Sequence, residues 1–127
     1  METDSFTRRF ENHRYISIET YRRNGDAVRT PVWFVSEGSS LYIRTYSDSG
    51  KAKRLRLNGK ARVAPCTFQG EVLGDWVDVE PSFADRSETA RVLRLFRSKY
   101  GIQIALTSLL AWLKGKRYVV IKLNGKS

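Results

Sequence analysis

The sequence predicts a mainly β fold, a small barrel of about six antiparallel strands with accessory helices. Three observations predict it. Short runs through Val79 alternate apolar and polar side chains, the period of two that half-buried strands impose. Those runs are divided by Asn24-Gly25, Glu37-Gly38-Ser39-Ser40, Asn58-Gly59 and Gln69-Gly70, the residue types that tight turns require. Long helical periodicity begins only after Ser82, so strands and helices do not alternate as a parallel α/β sheet demands.

Taken in order, Tyr15–Tyr21 sets tyrosine and isoleucine against serine, glutamate and threonine and is the first predicted strand. Asn24-Gly25 marks a hairpin turn within Arg22–Asp26, and strands over Val28–Ser36 and Ser40–Thr45 follow. Ser49 is placed to cap a short basic helix over Gly50–Leu57, which Asn58-Gly59 ends. Arg62–Thr67 and Glu71–Val79 are predicted as two further strands. Ser82 or Asp85 caps a helix whose Val92, Leu93, Phe96 and Tyr100 share an apolar stripe, with Arg91, Arg94 and Arg97 facing outward. Gly101 breaks that run. The next helix spaces Ile102, Ala105, Leu106, Leu109, Leu110 and Leu113 by threes and fours and is expected to bury that face. Gly115 ends it, and Arg117–Leu123 forms the last strand. Residues 1–13 read as a mobile terminus.

One domain over residues 1–127 is expected, large enough to bury roughly two-thirds of the surface its unfolded chain exposes. The single cysteine, Cys66, excludes an internal disulfide and fits a reducing compartment. The longest apolar segment, Ile102–Leu113, is too short to span a bilayer, and no membrane partner is expected. Glu2, Asp4, Arg8 and Arg9 occupy the start of the chain where a signal peptide would need an apolar run, so a cytoplasmic protein is expected. Lysine and arginine number 23 against 13 aspartates and glutamates, a net charge of +10. That balance favours anionic partners, whether nucleic acid, phosphorylated cofactors or acidic membranes; a solubilising basic surface accounts for it equally well.

His13 is the only histidine, which leaves little for a histidine metal site or general base, and no metal site is expected. Cys66 has no second histidine to activate it and reads as a small buried strand residue. Asp78 and Glu80 alternate with Val77 and Val79 and read, like Asp75, as a solvated face. No catalytic side chain is assigned. The stretch that does concentrate chemistry is Thr45-Tyr46-Ser47-Asp48-Ser49-Gly50-Lys51-Ala52-Lys53-Arg54. It gathers hydroxyls, free backbone amides, a helix start and cations, which together suit a phosphate. It is not a P-loop, which would need glycine at Thr45 and a hydroxyl at Ala52. Beside it, Pro31, Val32, Trp33 and Phe34 offer a flat apolar edge for a planar ring. A phosphate grip next to an aromatic strand points to a nucleotide-like cofactor.

The order of these elements resembles the flavin-binding split-barrel superfamily that includes pyridoxamine 5'-phosphate oxidase, and more closely its short deazaflavin (coenzyme F420)-dependent branch. The residues that carry the resemblance are Arg29-Thr30-Pro31-Val32-Trp33-Phe34, Leu41-Tyr42-Ile43-Arg44-Thr45, Ser49-Gly50-Lys51-Ala52, Leu57–Ala64 and Arg117–Leu123. The resemblance implies a split barrel working as a homodimer with its cofactor between protomers. It implies that Thr45, Ser49 and Lys51, helped by Lys53 or Arg54, hold the cofactor phosphate, with Tyr46, Ser47 and Gly50 completing the turn. Arg29, Thr30, Pro31, Val32 and Trp33 would line the ring, and the other subunit would contribute residues around Cys66, Thr67 and Trp76.

Three departures bear on the cofactor. Gly50 stands where the oxidase pattern has a basic residue, Phe34 stands where it has a phosphate-binding lysine, and its C-terminal arginine–histidine signature has no counterpart. These argue against pyridoxamine phosphate oxidation and weaken the case for flavin mononucleotide (FMN). The positive charge suits the acidic oligoglutamate tail of F420, with Arg22, Arg23, Arg44, Lys53, Arg54 and Arg56 as receivers. The implied activity is an F420-dependent oxidoreductase passing hydride to a small unsaturated substrate, with Tyr46 or water supplying the accompanying proton. An FMN-dependent oxidoreductase or flavin carrier is the alternative on the same fold. A nucleic-acid-binding barrel stacking bases on Trp33, Tyr42, Tyr46 and Trp76 is the alternative of another class. A haem-handling split barrel is disfavoured by the near absence of histidine.

Overall fold

The computed structural model describes residues 3–126. Six strands, β1 (Tyr15–Tyr21), β2 (Ala27–Glu37), β3 (Ser40–Tyr46), β4 (Ala61–Cys66), β5 (Val77–Phe83) and β6 (Tyr118–Gly125), close into a barrel in the order β1-β2-β3-β6-β5-β4. Every neighbouring pair is antiparallel. Four helices accompany them: α1 (Thr3–Arg8), α2 (Gly50–Asn58), α3 (Arg86–Tyr100) and α4 (Ile102–Leu113). A mainly β barrel with accessory helices is therefore what the chain adopts.

Strand alternation builds two apolar clusters. Ile16, Ile18, Phe34, Leu41, Ile43, Val63, Val79, Ile121 and Leu123 point into the barrel, and Leu55 of α2 and Phe10 close it. Val35, Tyr42 and Val120, one residue out of phase with those strands' inward set, meet Val92, Phe96 and Tyr100 of α3 and Ile104 of α4 outside it. β2 serves both halves of the barrel. Its residues through Trp33 pair with β1, and from Phe34 onward it pairs with β3. Tyr100 secures this crossing. Its hydroxyl accepts the Phe34 amide at 3.0 Å, and its proton is shared between the carbonyls of Phe34 at 2.8 Å and Arg14 at 2.7 Å.

Four local expectations change. Glu71–Trp76, expected as strand, is outside any strand apart from a bridge between Val72 and Cys66, and β5 begins at Val77. The barrel decides this, because β5 must reach both Val63 on β4 and Ile121 on β6, and so it runs on through Pro81 to Phe83. Ser82 consequently lies in the strand, and Asp85 caps α3 by accepting the Glu88 amide at 2.8 Å. The start of the chain, read as mobile, forms α1 from Thr3 and buries Phe10 fully in the core. Lastly, α4 does not bury its leucines. It packs through Ile104 and Ala111, with Thr107 half-buried between them, and leaves Ile102, Ala105, Leu106, Leu109, Leu110 and Leu113 exposed. The helix is apolar nearly all round, so periodicity alone could not choose its inward stripe.

Candidate functional site

β3 delivers the site. Its outward residues Arg44 and Tyr46 emerge beside Tyr118 of β6, and after Tyr46 the chain turns through Ser47–Ser49 into α2. Ser49 holds extended backbone (φ −69°, ψ 159°) and caps α2 by accepting the Ala52 amide at 3.1 Å. Thr45 Oγ1 donates to the same oxygen at 3.0 Å. Both acceptor positions of the Ser49 hydroxyl are thus in use, while its proton has no acceptor among the described residues. The same holds for the amides of Gly50 and Lys51 in the first turn of α2. Three donors converge on a helix N-terminus, the arrangement that binds anions.

A cavity of about 340 Å³ opens at this point, lined by Val32 and Trp33 of β2, Arg44, Thr45 and Tyr46 of β3, Ser49, Lys51, Thr107 of α4 and Tyr118. Arg44 is the residue that sequence reasoning undervalued, since it was assigned only to a cofactor tail. The residue is 9% exposed, and its guanidinium lies 4.0 Å from the Tyr118 ring centroid and donates to Ser108 Oγ at 3.3 Å and to Thr107 Oγ1. Those partners hold it in place but leave its charge uncompensated, and no carboxylate pairs with it among the described residues. Burial lowers its pKa from the ordinary arginine value, yet a guanidinium stays charged. Lys51 repeats the pattern: burial first, then the charge of Arg54, lowers its pKa, and it has no partner among the described residues. Burial raises the Tyr118 phenol, against the pull of Arg44, so it keeps its proton at neutral pH. Thr107 and Tyr118 were not anticipated, because a hydroxyl inside an apolar helix and a tyrosine opening a strand carry no signal of their own.

Of the anticipated residues, Val32, Trp33, Thr45, Tyr46, Ser49 and Lys51 come together at this cavity. Gly50, the first residue of α2, stands between the lining residues Ser49 and Lys51 without lining the cavity itself. Ser47 is turned into the fold, its amide donating to the Arg117 carbonyl at 2.8 Å and its carbonyl accepting from Arg56 at 2.8 Å. Lys53 is exposed on α2, and Arg54 points back to Thr20 Oγ1 at 2.7 Å. Thr30 and Pro31 pair with Ile18 and Ser17 of β1 instead of lining the cavity. Arg29 and Trp76 belong to another cluster: Arg29 binds Glu19 at 2.7 Å, and its guanidinium lies 4.6 Å from the Trp76 ring centroid. Cys66, a buried thiol raised by burial, and Thr67 end β4 and begin its following loop, neither lining the cavity of the same chain. The cations expected to receive a tail are dispersed. Arg22 and Arg23 line a separate hollow of about 540 Å³ at the other end of α2. That hollow and a third of about 670 Å³ around Phe34 and Lys99 are larger, but neither adjoins the N-terminal amides of α2. Tyr42, 2% exposed with its hydroxyl donating to Glu88 at 3.0 Å, cannot serve as a base-stacking platform.

No family model matches the chain, and no curated protein matches it. Solved structures do. A Listeria innocua protein given as a candidate pyridoxamine 5'-phosphate oxidase superposes with a TM-score of 0.69 at 16% identity, over 100% of this chain and 95% of that one. HutZ, the haem storage protein from Vibrio cholerae, gives a TM-score of 0.72 at 13% identity over 95% and 87%. An F420 reductase gives 0.60 at 15% identity over 97% and 94%. Identities this low carry the fold across and leave the activity open. Together with the closed six-stranded barrel, they establish that the chain has the split-barrel fold of pyridoxamine 5'-phosphate oxidase-like proteins.

Proposed function

We propose that the chain is an oxidoreductase of the split-barrel class that binds the deazaflavin F420 and acts on a small unsaturated substrate. One observation carries the reading: two desolvated cations without carboxylate partners, Arg44 and Lys51, share a cavity with the free amides of a helix N-terminus and the indole of Trp33. The residues fit a phosphorylated ring cofactor. Lys51, the Ser49 proton and the Gly50 and Lys51 amides would hold the phosphate by charge-assisted bonds. Arg44 adds fixed positive potential behind them, and Val32 and Trp33 give the ring a wall. Bound there, a deazaflavin supplies hydride chemistry, and the protein supplies orientation and charge. Tyr46 and Tyr118 place two phenols at the cavity, either able to donate a hydrogen bond to a reacting carbonyl or nitro oxygen.

At about 340 Å³ the cavity sits at the small end for ligand sites, so much of a nucleotide-sized group would lie beyond this chain's walls. A homodimer would meet that requirement. The exposed Phe68 and Leu73, in the loop that holds Thr67 and leads to Trp76, give the partner an apolar surface to bring up. FMN on the same site is the second reading, which the resemblance to the flavin-binding split-barrel superfamily keeps open. Titration of the apo protein with F420 and with FMN, followed by Trp33 quenching, separates them. Tight binding of F420 alone supports the proposal, preference for FMN replaces it with a flavin protein, and binding of neither removes both.

A further inference from the structure

The outer side of α4 is an unusually apolar surface. Ile102 and Trp112 are each 74% exposed, and Leu106, Leu109, Leu110 and Leu113 are all more than half exposed. The charge around it is one-sided. From Thr89 to Ser127 the chain has no aspartate or glutamate and nine lysines and arginines. α4 itself is uncharged, while Lys114, Lys116 and Arg117 follow directly, and neither Lys114 nor Arg117 makes an ion pair among the described residues. A second copy of the chain meeting this face about a two-fold axis would set two acid-free segments against each other. An anionic bilayer instead supplies both an apolar layer and the missing negative charge.

We propose that α4 is a membrane-surface helix that docks the protein on an anionic bilayer. Ile102, Leu106, Leu109 and Leu113, at i, i+4, i+7 and i+11, enter the headgroup–acyl boundary along a helix about 18 Å long. Trp112 sits at the boundary, and Lys114 and Arg117 reach the headgroups, the usual division of labour at such an interface. Among the described residues no helix is long and apolar enough to cross a membrane, and none needs to be. The expectation of no membrane partner rested on spanning length, which surface docking does not require. Thr107 lies on the opposite, inward stripe of α4, so docking leaves the candidate cavity beside the bilayer.

Flotation of the full chain with phosphatidylglycerol–phosphatidylcholine vesicles, against phosphatidylcholine alone, tests this. The expected result is flotation with the anionic vesicles only, lost at high salt, together with a blue shift of tryptophan emission that disappears in Trp112→Phe. Leu109→Glu with Leu113→Glu should abolish flotation and leave the melting temperature and cofactor affinity unchanged. Lys114→Gln with Arg117→Gln should weaken binding by about thirtyfold, the usual worth of two cations at such a surface. Absence of flotation, or equal flotation with phosphatidylcholine alone, overturns the proposal. So does light scattering showing that Leu109→Glu with Leu113→Glu turns a dimer into monomers, since a second copy then owns the face. Cofactor titration reads independently of all these outcomes.

Discussion

Two groups of cations in this small barrel are arranged in opposite ways. Around Glu19 the charges are balanced. Its carboxylate, 2% exposed, binds Arg29 at 2.7 Å and Arg62 at 2.8 Å and accepts the Tyr21 hydroxyl. Arg29 and Arg62 stand directly across from Glu19 on β2 and β4, so one acid ties three strands, and Trp76 stacks on both guanidiniums. At the cavity, the buried Arg44 and half-buried Lys51 face hydroxyls, rings and open space. The contrast teaches how to tell a structural charge from a binding one. A buried carboxylate that holds its cations is part of the fold, and a desolvated cation without a carboxylate is a candidate for binding an anion.

Breaking the balanced cluster should have the largest effect on folding. Glu19→Gln is expected to lower stability by about 2–3 kcal/mol, somewhat less than a fully buried pair because both arginines are partly exposed. Chemical denaturation reads this, and cofactor affinity should not change. The same group sets an acid limit. Its hydrogen bond with Arg62 is the largest of the causes that hold its pKa at about 2 in the folded protein, against an ordinary 4.5. A depressed carboxylate contributes its stability above the unfolded value and loses it as pH falls toward the folded one. The melting temperature should therefore fall between about pH 4.5 and pH 2, with a visibly flatter decline in Glu19→Gln. An identical acid profile in the variant would place the acid limit elsewhere.

Opening the unbalanced cluster should do the reverse. Lys51→Ala is expected to weaken F420 binding by about tenfold to a hundredfold, the worth of one charge-assisted phosphate contact. Its stability should be unchanged or slightly higher, because burial opposes the charge that the substitution removes. Calorimetric titration beside a denaturation curve separates the two readouts. Unchanged affinity in Lys51→Ala would remove the phosphate assignment.

Much of this contrast was legible in the sequence, and its limits have physical causes. Alternation and turn residues placed five of the six barrel strands within a few residues, and Ser49, Lys51 and Trp33, expected in one neighbourhood, do line one cavity. Arg29 is expected with them because strand proximity in sequence does not say which face of a closed barrel a side chain takes, whereas Trp76 is expected there only from a partner subunit. Their actual partner, Glu19, lies ten residues from Arg29 and forty-three from Arg62, and nothing local marks it. Arg44 looked like one more basic residue. Only the packing of α4 over β3 turns it into a desolvated charge. The bounds of β5 failed for the same reason, since a strand that must pair on both sides takes its ends from its neighbours and not from its own pattern.

The finest distinction concerns Ser49, which serves fold and site at once. Ser49→Ala removes the cap from α2 and should cost about 1 kcal/mol of stability. It also removes a hydroxyl proton at the cavity that has no acceptor among the described residues, so affinity should fall about fivefold, the value of a single modest hydrogen bond. Ser49→Asp separates these roles. Aspartate caps as well as serine, so stability should recover. An ionised carboxylate has no proton to give and repels a phosphate, so affinity should stay low or drop further. Recovery of both would mean that the hydroxyl only starts a helix, and the anion would then be held by Lys51, Arg44 and the backbone amides alone.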